Sequence, residues 1–255
     1  MSLNRDSIYF VSDMHFGVPD RESSFKREKL FVKWLEKISE DASDIYIMGD
    51  MFDFWFEWKH VVPKGYIRLL GKMAELSDKG IKLHLFTGNH DMWMFSYFRN
   101  ELGAFIYRKD IVATIQHKVV CLAHGDGLGP GDYGYKFIKK LFRNKFAQWC
   151  YARLHPNFAV WLALFFSRKS RYINREKNKK NRERERKLTE NQLIHARQML
   201  KTKHIDYFVF GHQHTPECET LENGSVLYNI GNWLNDFTYL KMKNSNIEQC
   251  VFTKE

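Results

Sequence analysis

Residues 83–93 read LHLFTGNHDMW. An apolar run, Leu83 to Phe86, breaks at Gly88 and then presents an amide, an imidazole and a carboxylate in succession: Asn89, His90 and Asp91. Short β-branched or aromatic runs that end in glycine and polar residues read as buried strands. His90 in that setting is open to three readings: a metal ligand, a proton donor, or an ordinary loop histidine.

The pattern recurs four more times. Ile8–Val11 runs into Asp13-Met14-His15, and Ile45–Met48 runs into Gly49-Asp50-Met51-Phe52-Asp53. Val119–Ala123 runs into His124-Gly125-Asp126, and Tyr207–Phe210 into Gly211-His212-Gln213-His214. Between the first two runs, Leu30, Phe31, Trp34, Leu35 and Ile38 fall at helical spacing; Tyr66 to Leu76 does the same before Leu83. Strand–helix–strand alternation argues an α/β fold. After Phe210 the pattern changes. Asn223-Gly224 between two strand-like runs predicts a type I′ hairpin. The stretch FTYLKMKNSNIEQCVF predicts a second hairpin, so the ending is expected to be antiparallel. Tyr107, Arg108 and Lys109 read as a surface hairpin.

Composition sets bounds. The chain has 255 residues, 44% of them hydrophobic and 16% aromatic, enough to bury a sizeable core. Four scattered cysteines (121, 150, 218, 250) form no CxxC pair, which argues against a disulfide framework or a thiolate zinc site and fits a reducing, cytoplasmic setting. No basic stretch followed by an apolar core opens the chain, so no signal peptide is expected. The longest apolar run, Phe158 to Phe166, is nine residues. A membrane span takes about 20. The net charge of +10 is concentrated: residues 133–203 hold 20 Lys and Arg against 4 Asp and Glu. That segment is helical by pattern, aromatic early (Tyr135, Phe137, Phe142, Phe146, Trp149, Tyr151) and charged late, and reads as an insertion. Three parts follow: 1–131 as the first half of a core, 132–203 as a helical insertion, and 204–255 as the second half.

Five strand ends that each deliver Asp, Asn or His are expected to converge, because ligands in open α/β sheets bind at the carboxyl ends of strands. Oxygen and imidazole donors without thiolate suit Mn²⁺, Fe or Zn²⁺. A lone DxH or HxH is ordinarily a surface feature, and Gly-Asp after a strand is ordinarily a turn. Five such blocks in order are a different matter.

The order DxH, GDxxD, GNHD, HGD, GHxH resembles the calcineurin-like metallophosphoesterase superfamily. The resemblance covers roughly Ile8 to Asp126 and Tyr207 to Trp233. It implies a four-layer α/β/β/α sandwich with two divalent metal ions, manganese first and iron or zinc as alternatives. Asp13, His15 and His214 would hold one ion, and Asn89, His124 and His212 the other, with Asp50 bridging. On this reading Asn89 is the ligand in GNHD. His90, oriented and charged by Asp53, becomes a general acid or an electrostatic clamp.

The stretches HGDGLGPGDYGY and YNIGNW, with the insertion between them, resemble the UDP-2,3-diacylglucosamine pyrophosphatases of lipid A synthesis. That family cleaves a UDP-linked diacyl sugar to UMP and the acylated sugar 1-phosphate, and its insertion is a lid over an acyl-chain chamber. The resemblance implies Asp132 and Tyr135, and Arg168, Lys169 and Arg171 of SRKSR, as substrate-binding residues. It also implies a nucleotide-linked acylated sugar as partner and peripheral contact with the inner membrane surface. One position departs: the better-known members read GNRD where this chain has His90. Two other readings remain beside this one. In the first, the basic segment would track the phosphates of a nucleic acid or nucleotide diester, although its aromatics precede the charges instead of interleaving with them as stacking platforms. In the second, the domain would be a scaffold without metal, which the filled ligand positions argue against.

Overall fold

The computed structural model describes residues 5–131, 133–178 and 182–253, with side chains outside 168–188. The first half alternates: β1 (Ser7–Val11), α1 (Arg21–Ile38), β2 (Ala42–Ile47), α2 (Ile67–Asp78), β3 (Lys82–Phe86), α3 (Tyr97–Leu102) and β4 (Phe105–Tyr107). Then come β5 (Ile111–Ile115), β6 (Lys118–Ala123) and four helices, α4 (Tyr133–Phe142), α5 (Lys145–Ala152), α6 (Pro156–Asn178) and α7 (Arg182–Leu200). The chain closes with β7 (Tyr207–Phe210), β8 (Glu217–Thr220), β9 (Val226–Asn229), β10 (Thr238–Lys243) and β11 (Asn246–Val251).

Two mixed sheets result, ordered β11-β10-β1-β2-β3-β4 and β5-β6-β7-β9-β8. The alternate side chains of each strand explain the layers. Tyr9, Val11, Ile45, Ile47, Leu83 and Leu85 pack on Phe31, Trp34 and Leu35 of α1 and on Leu69, Met73 and Leu76 of α2. Their neighbours Ile8, Phe10, Tyr46, Met48 and Phe86 meet Val120, Leu122 and Val209 of the second sheet. On that sheet's far face, Cys121, Ala123, Phe208 and Phe210 pack on Leu193, Ala196 and Met199 of α7. Three cores between four layers make the expected α/β/β/α sandwich. Strands buried on both faces read as unbroken apolar runs. The fourth layer comes from inside the segment expected as an insertion, since α7 covers the second sheet. By contrast, α4 and α5 bury no residue fully.

α1 starts where Asp20 accepts a hydrogen bond from the Ser23 N–H at 2.8 Å, an N-cap. Its Trp34 lies 4.9 Å from Trp233, which carries the end of YNIGNW into the first core.

Three local expectations need correction. The Asn223-Gly224 hairpin exists, with β8 antiparallel to β9, but its turn is not type I′. The Gly224 N–H bonds the Leu221 carbonyl at 2.9 Å, and Gly224 alone is left-handed (φ 87°), which is a three-residue loop built on a type I turn. Two-residue turns with both central residues at positive φ are instead Gln116-His117, between β5 and β6, and Asn244-Ser245, between β10 and β11. Nor is the ending uniformly antiparallel, because β9 lies parallel to β7. Arg108 and Lys109 sit in no hairpin: β4 and β5 belong to different sheets, and this segment crosses between them.

Candidate metal centre

β1, β2 and β3 run parallel in the first sheet, and β6 and β7 run parallel in the second. Their carboxyl ends meet at one edge. The loops there are stitched by backbone bonds: Asp13 N–H to Gly49 C=O at 3.2 Å, His15 N–H to Asp50 C=O at 2.9 Å, and Gly211 N–H to His124 C=O at 2.9 Å. Two glycines allow the approach. A Cβ on Gly88 would lie 2.1 Å from Asp50 Oδ1, and one on Gly49 2.5 Å from His124 Nδ1.

Four of the expected ligands hold left-handed backbone: Asp13 (φ 57°), His15 (45°), Asp50 (51°) and His212 (70°). Such conformations cost about 1–3 kcal/mol each for non-glycine residues and cluster at functional sites, where the surrounding structure over-determines them. The sequence shows no sign of this strain.

Two adjoining trios hold the expected ligands, and a third group, His15, Asp53 and His90, shares His15 with the first. The ligand atoms of Asp13, His15 and His214 lie within 4.8 Å of one another, as do those of Asp50, His124 and His212. Asn89 joins the second, its Oδ1 3.4 Å from His124 Nε2. Asp50 Oδ2 faces both trios, 3.7 Å from His15 Nε2 and 3.5 Å from His124 Nε2. His124 Nδ1 lies 2.8 Å from the Met48 carbonyl. That carbonyl can only accept, so Nδ1 carries a proton and Nε2 is the nitrogen turned into the cluster.

These distances are too long for good hydrogen bonds and suit donors that share a cation. Asp13 Oδ1 is buried without a hydrogen-bond partner, between His214 Nε2 at 3.4 Å and His15 Nε2 at 3.6 Å. Burial raises the Asp13 carboxyl, but the imidazoles of His15 and His214 overcome this and hold it well below the usual carboxylate range. Asp50 is driven down likewise, against its burial, by His124 and His90. Burial lowers His15 to about 4. Burial also works against a charged His124, but Asp50 outweighs it and pushes the imidazole up to about 10. The pocket therefore holds anionic oxygens that draw a positive charge even into a buried ring. The donor set fits a pair of hard or borderline dications.

His90 stands at the rim, 19% exposed. Its N–H bonds Asp50 Oδ1 at 2.8 Å, and its ring lies edge-on to His15 at 4.9 Å. Nδ1 is 3.2 Å from Asp53 Oδ1 and 3.2 Å from the Asp53 carbonyl. The expected pairing of His90 with Asp53 is thus present in the geometry.

Other contributors escaped the sequence reading. Asp91, fully buried, accepts from the N–H groups of Gly88 (2.8 Å), Met51 (2.8 Å) and Phe52 (3.3 Å), and so clamps the GNHD loop to the GDMFD loop. Burial, reinforced by Asp50, pushes its carboxyl up to about 7. Arg27 donates to the carbonyls of Met14, His15 and Val18 from within α1. In YNIGNW, Asn229 donates to the Gly211 carbonyl at 3.2 Å and Asn232 to that of His214 at 2.7 Å, so this stretch carries the GHQH loop.

Of the residues expected to bind substrate, Asp132 lies outside the described residues, as do the side chains of Arg168, Lys169 and Arg171. Tyr135 donates its hydroxyl to Asp126, whose carboxylate also pairs with Lys139 at 2.6 Å. This ties α4 to the HGD loop. Trp93, next to the GNHD loop, donates to the Phe142 carbonyl at 2.8 Å and packs on Tyr151, holding α4 and α5 beside the centre.

Residues 7–216 match the calcineurin-like phosphoesterase family. The chain belongs to that family and is a hydrolase of phosphoric esters. Among curated relatives, the UDP-2,3-diacylglucosamine hydrolase of Porphyromonas gingivalis is 37% identical over 92% of this chain and 93% of its own length. The protein of the same name from Hamiltonella defensa is 26% identical over 85% and 80%. Among solved structures, the Escherichia coli phosphoesterase Yfce aligns at 15% identity over 97% of this chain and 100% of that one, with a TM-score of 0.45.

Proposed function

We propose that this chain hydrolyses the pyrophosphate bond of UDP-2,3-diacylglucosamine, releasing UMP and 2,3-diacylglucosamine 1-phosphate. The observation that carries the reading is the 37% identity to the Porphyromonas gingivalis hydrolase, which extends over 92% of this chain. The residues that would hold the metal ions are Asp13, His15 and His214 on one side and Asn89, His124 and His212 on the other, with Asp50 between. Two divalent ions, manganese by this proposal, supply Lewis acidity and lower the pKa of a bound water.

The chain's own groups do the rest. Asp53 orients the His90 ring through Nδ1, so that Nε2 faces the reacting phosphate. The leaving group is itself a phosphate monoester, whose second pKa is about 6. It needs little protonation, so a hydrogen bond from Nε2 suffices to steady the charge that develops on the departing oxygen. This allows a histidine to stand where related enzymes use arginine.

The insertion supplies the lipid end. Phe137, Phe146, Trp149, Phe158 and Trp161 on α4, α5 and α6 are half or more exposed, beside the basic residues of 133–203. Among the described residues no helix is long and apolar enough to cross a membrane. Peripheral contact with an anionic inner-membrane surface from the cytoplasmic side is the proposed setting. Tyr135, Asp132, Arg168, Lys169 and Arg171 are proposed to contact the sugar phosphate.

The test is UMP release from UDP-2,3-diacylglucosamine in detergent micelles with Mn²⁺. No release, alongside turnover of a soluble aryl phosphodiester, would remove the lipid substrate and leave the phosphoesterase. Sedimentation with vesicles containing anionic lipid checks the membrane contact.

A further inference from the structure

The Asp53–His90 pair has a third member that comes from the insertion. Ser167 on α6 places its Oγ 3.2 Å from Asp53 Oδ1 and 3.3 Å from Asp53 Oδ2, and 3.5 Å from His90 Nδ1. The contacts to Asp53 span 114 residues of sequence and the contact to His90 spans 77. The helix comes this close on a small-residue face: Ala159, Ala163 and Ser167 recur every fourth residue, and Ala159 is fully buried.

A carboxylate accepts only, so the serine O–H donates to Asp53. Its lone pairs remain open to the Nδ1–H of His90. Asp53 is nearly enclosed, with its side chain 1% exposed, and a hydroxyl from outside the core is well placed to hold it in one rotamer. The imidazole then has a fixed partner on Nδ1 and a fixed direction for Nε2.

We propose that Ser167 is a positioning residue. It acts through Asp53 to hold the His90 ring toward the reacting phosphate, and makes that orientation depend on α6 lying in place. Substrate that seats the insertion and substrate that does not would then differ in turnover as well as in binding. The inference rests on the reading of His90 as the group facing the leaving oxygen.

The experiment is a double-mutant cycle on the full chain loaded with Mn²⁺, using Ser167→Ala, His90→Ala and the pair. Ser167→Thr, which keeps the hydroxyl, is the conservative control. Rates are read on UDP-2,3-diacylglucosamine and on bis(p-nitrophenyl) phosphate, so the outcome does not hang on the lipid substrate. Ser167→Ala is expected to lower kcat by about tenfold with KM within about twofold, the worth of one hydrogen bond. Ser167→Thr restores kcat. In the His90→Ala background Ser167→Ala adds no further loss, because its effect runs through the absent ring. Additive losses would mean that Ser167 only braces the insertion, and would overturn the proposal. An unchanged kcat in Ser167→Ala, with His90→Ala impaired, overturns it too while leaving the role of His90 standing. Full turnover in His90→Ala removes the reading of that histidine and this inference with it.

Discussion

Asp91→Ala removes a carboxylate with no exposed surface and strands the N–H groups of Gly88, Met51 and Phe52. A buried donor left without an acceptor costs about 1–3 kcal/mol. The two 2.8 Å bonds carry most of this, together about 2–6 kcal/mol, and the 3.3 Å bond of Phe52 adds little. Relief of the repulsion between Asp91 and Asp50 offsets part of the loss, leaving about 3 kcal/mol net. For a domain of this size each kcal/mol moves the melting temperature by about 2–4 °C, so a fall of about 6–12 °C is expected. Asp91→Asn keeps one oxygen, which can serve Met51 and Phe52, but turns an amide NH₂ toward Gly88. It should therefore fall between wild type and alanine. The functional consequence follows from the clamp. With Gly88 released, Asn89 loses its register against His124, and one ion of the pair is lost before the other. Circular dichroism melting and metal analysis of the three proteins measure both effects. An alanine variant that melts within about 2 °C of wild type with full metal content refutes the clamp; so does an asparagine variant as damaged as alanine.

Stripping divalent ions with EDTA should abolish turnover and lower the melting temperature, with recovery on adding Mn²⁺; undiminished activity after stripping would contradict a metal-dependent centre. Asn89→Ala should lose metal content, whereas His90→Ala should keep it and lose turnover by about 10² or more; metal loss in His90→Ala would reverse the roles within that loop. A pH effect is expected away from the centre, at Asp41. Burial raises its carboxyl, but Lys241 at 2.7 Å, Tyr9 at 2.7 Å and Ser7 at 2.8 Å overcome this and hold it below the usual value. A depressed folded pKa gives stability that is present above the unfolded value of about 3.9 and lost as pH falls through the folded one. Asp41→Asn should thus be less stable at neutral pH and show a shallower acid limb in urea unfolding. Parallel curves for the two proteins would refute the linkage.

Much of the core was legible because its strands are short apolar runs that stop at glycine. Ile45–Met48 ends at Gly49-Asp50 and Leu83–Phe86 ends at Gly88-Asn89, and both deliver their donors where expected. Turn chemistry was less legible. Asn223-Gly224 carries the composition of a type I′ turn, yet the bond from the Leu221 N–H to the Ser225 carbonyl leaves a three-residue loop, and Asn244-Ser245 takes the I′ geometry instead. Register belongs to the sheet, and the loop conforms to it. α7 was equally hard to place. Its charged start reads as surface, while Leu193, Ala196 and Met199 further on cover a sheet face.

By itself the sequence determined which side chains stand at which strand ends, and hence that oxygen and imidazole donors, without thiolate, would gather at one edge. It also determined an α/β order, through the alternation of apolar runs with helical stripes. Only the tertiary structure decided that one oxygen of Asp50 faces both donor groups, that four of the proposed ligands sit on left-handed backbone, and that Asp91 and Ser167 reach the GDMFD loop from elsewhere in the chain. These depend on two sheets packing face to face and on hydrogen bonds between residues 40 to 114 positions apart. Local propensity cannot encode such distances, because the energy that sets them is gained only when the layers close.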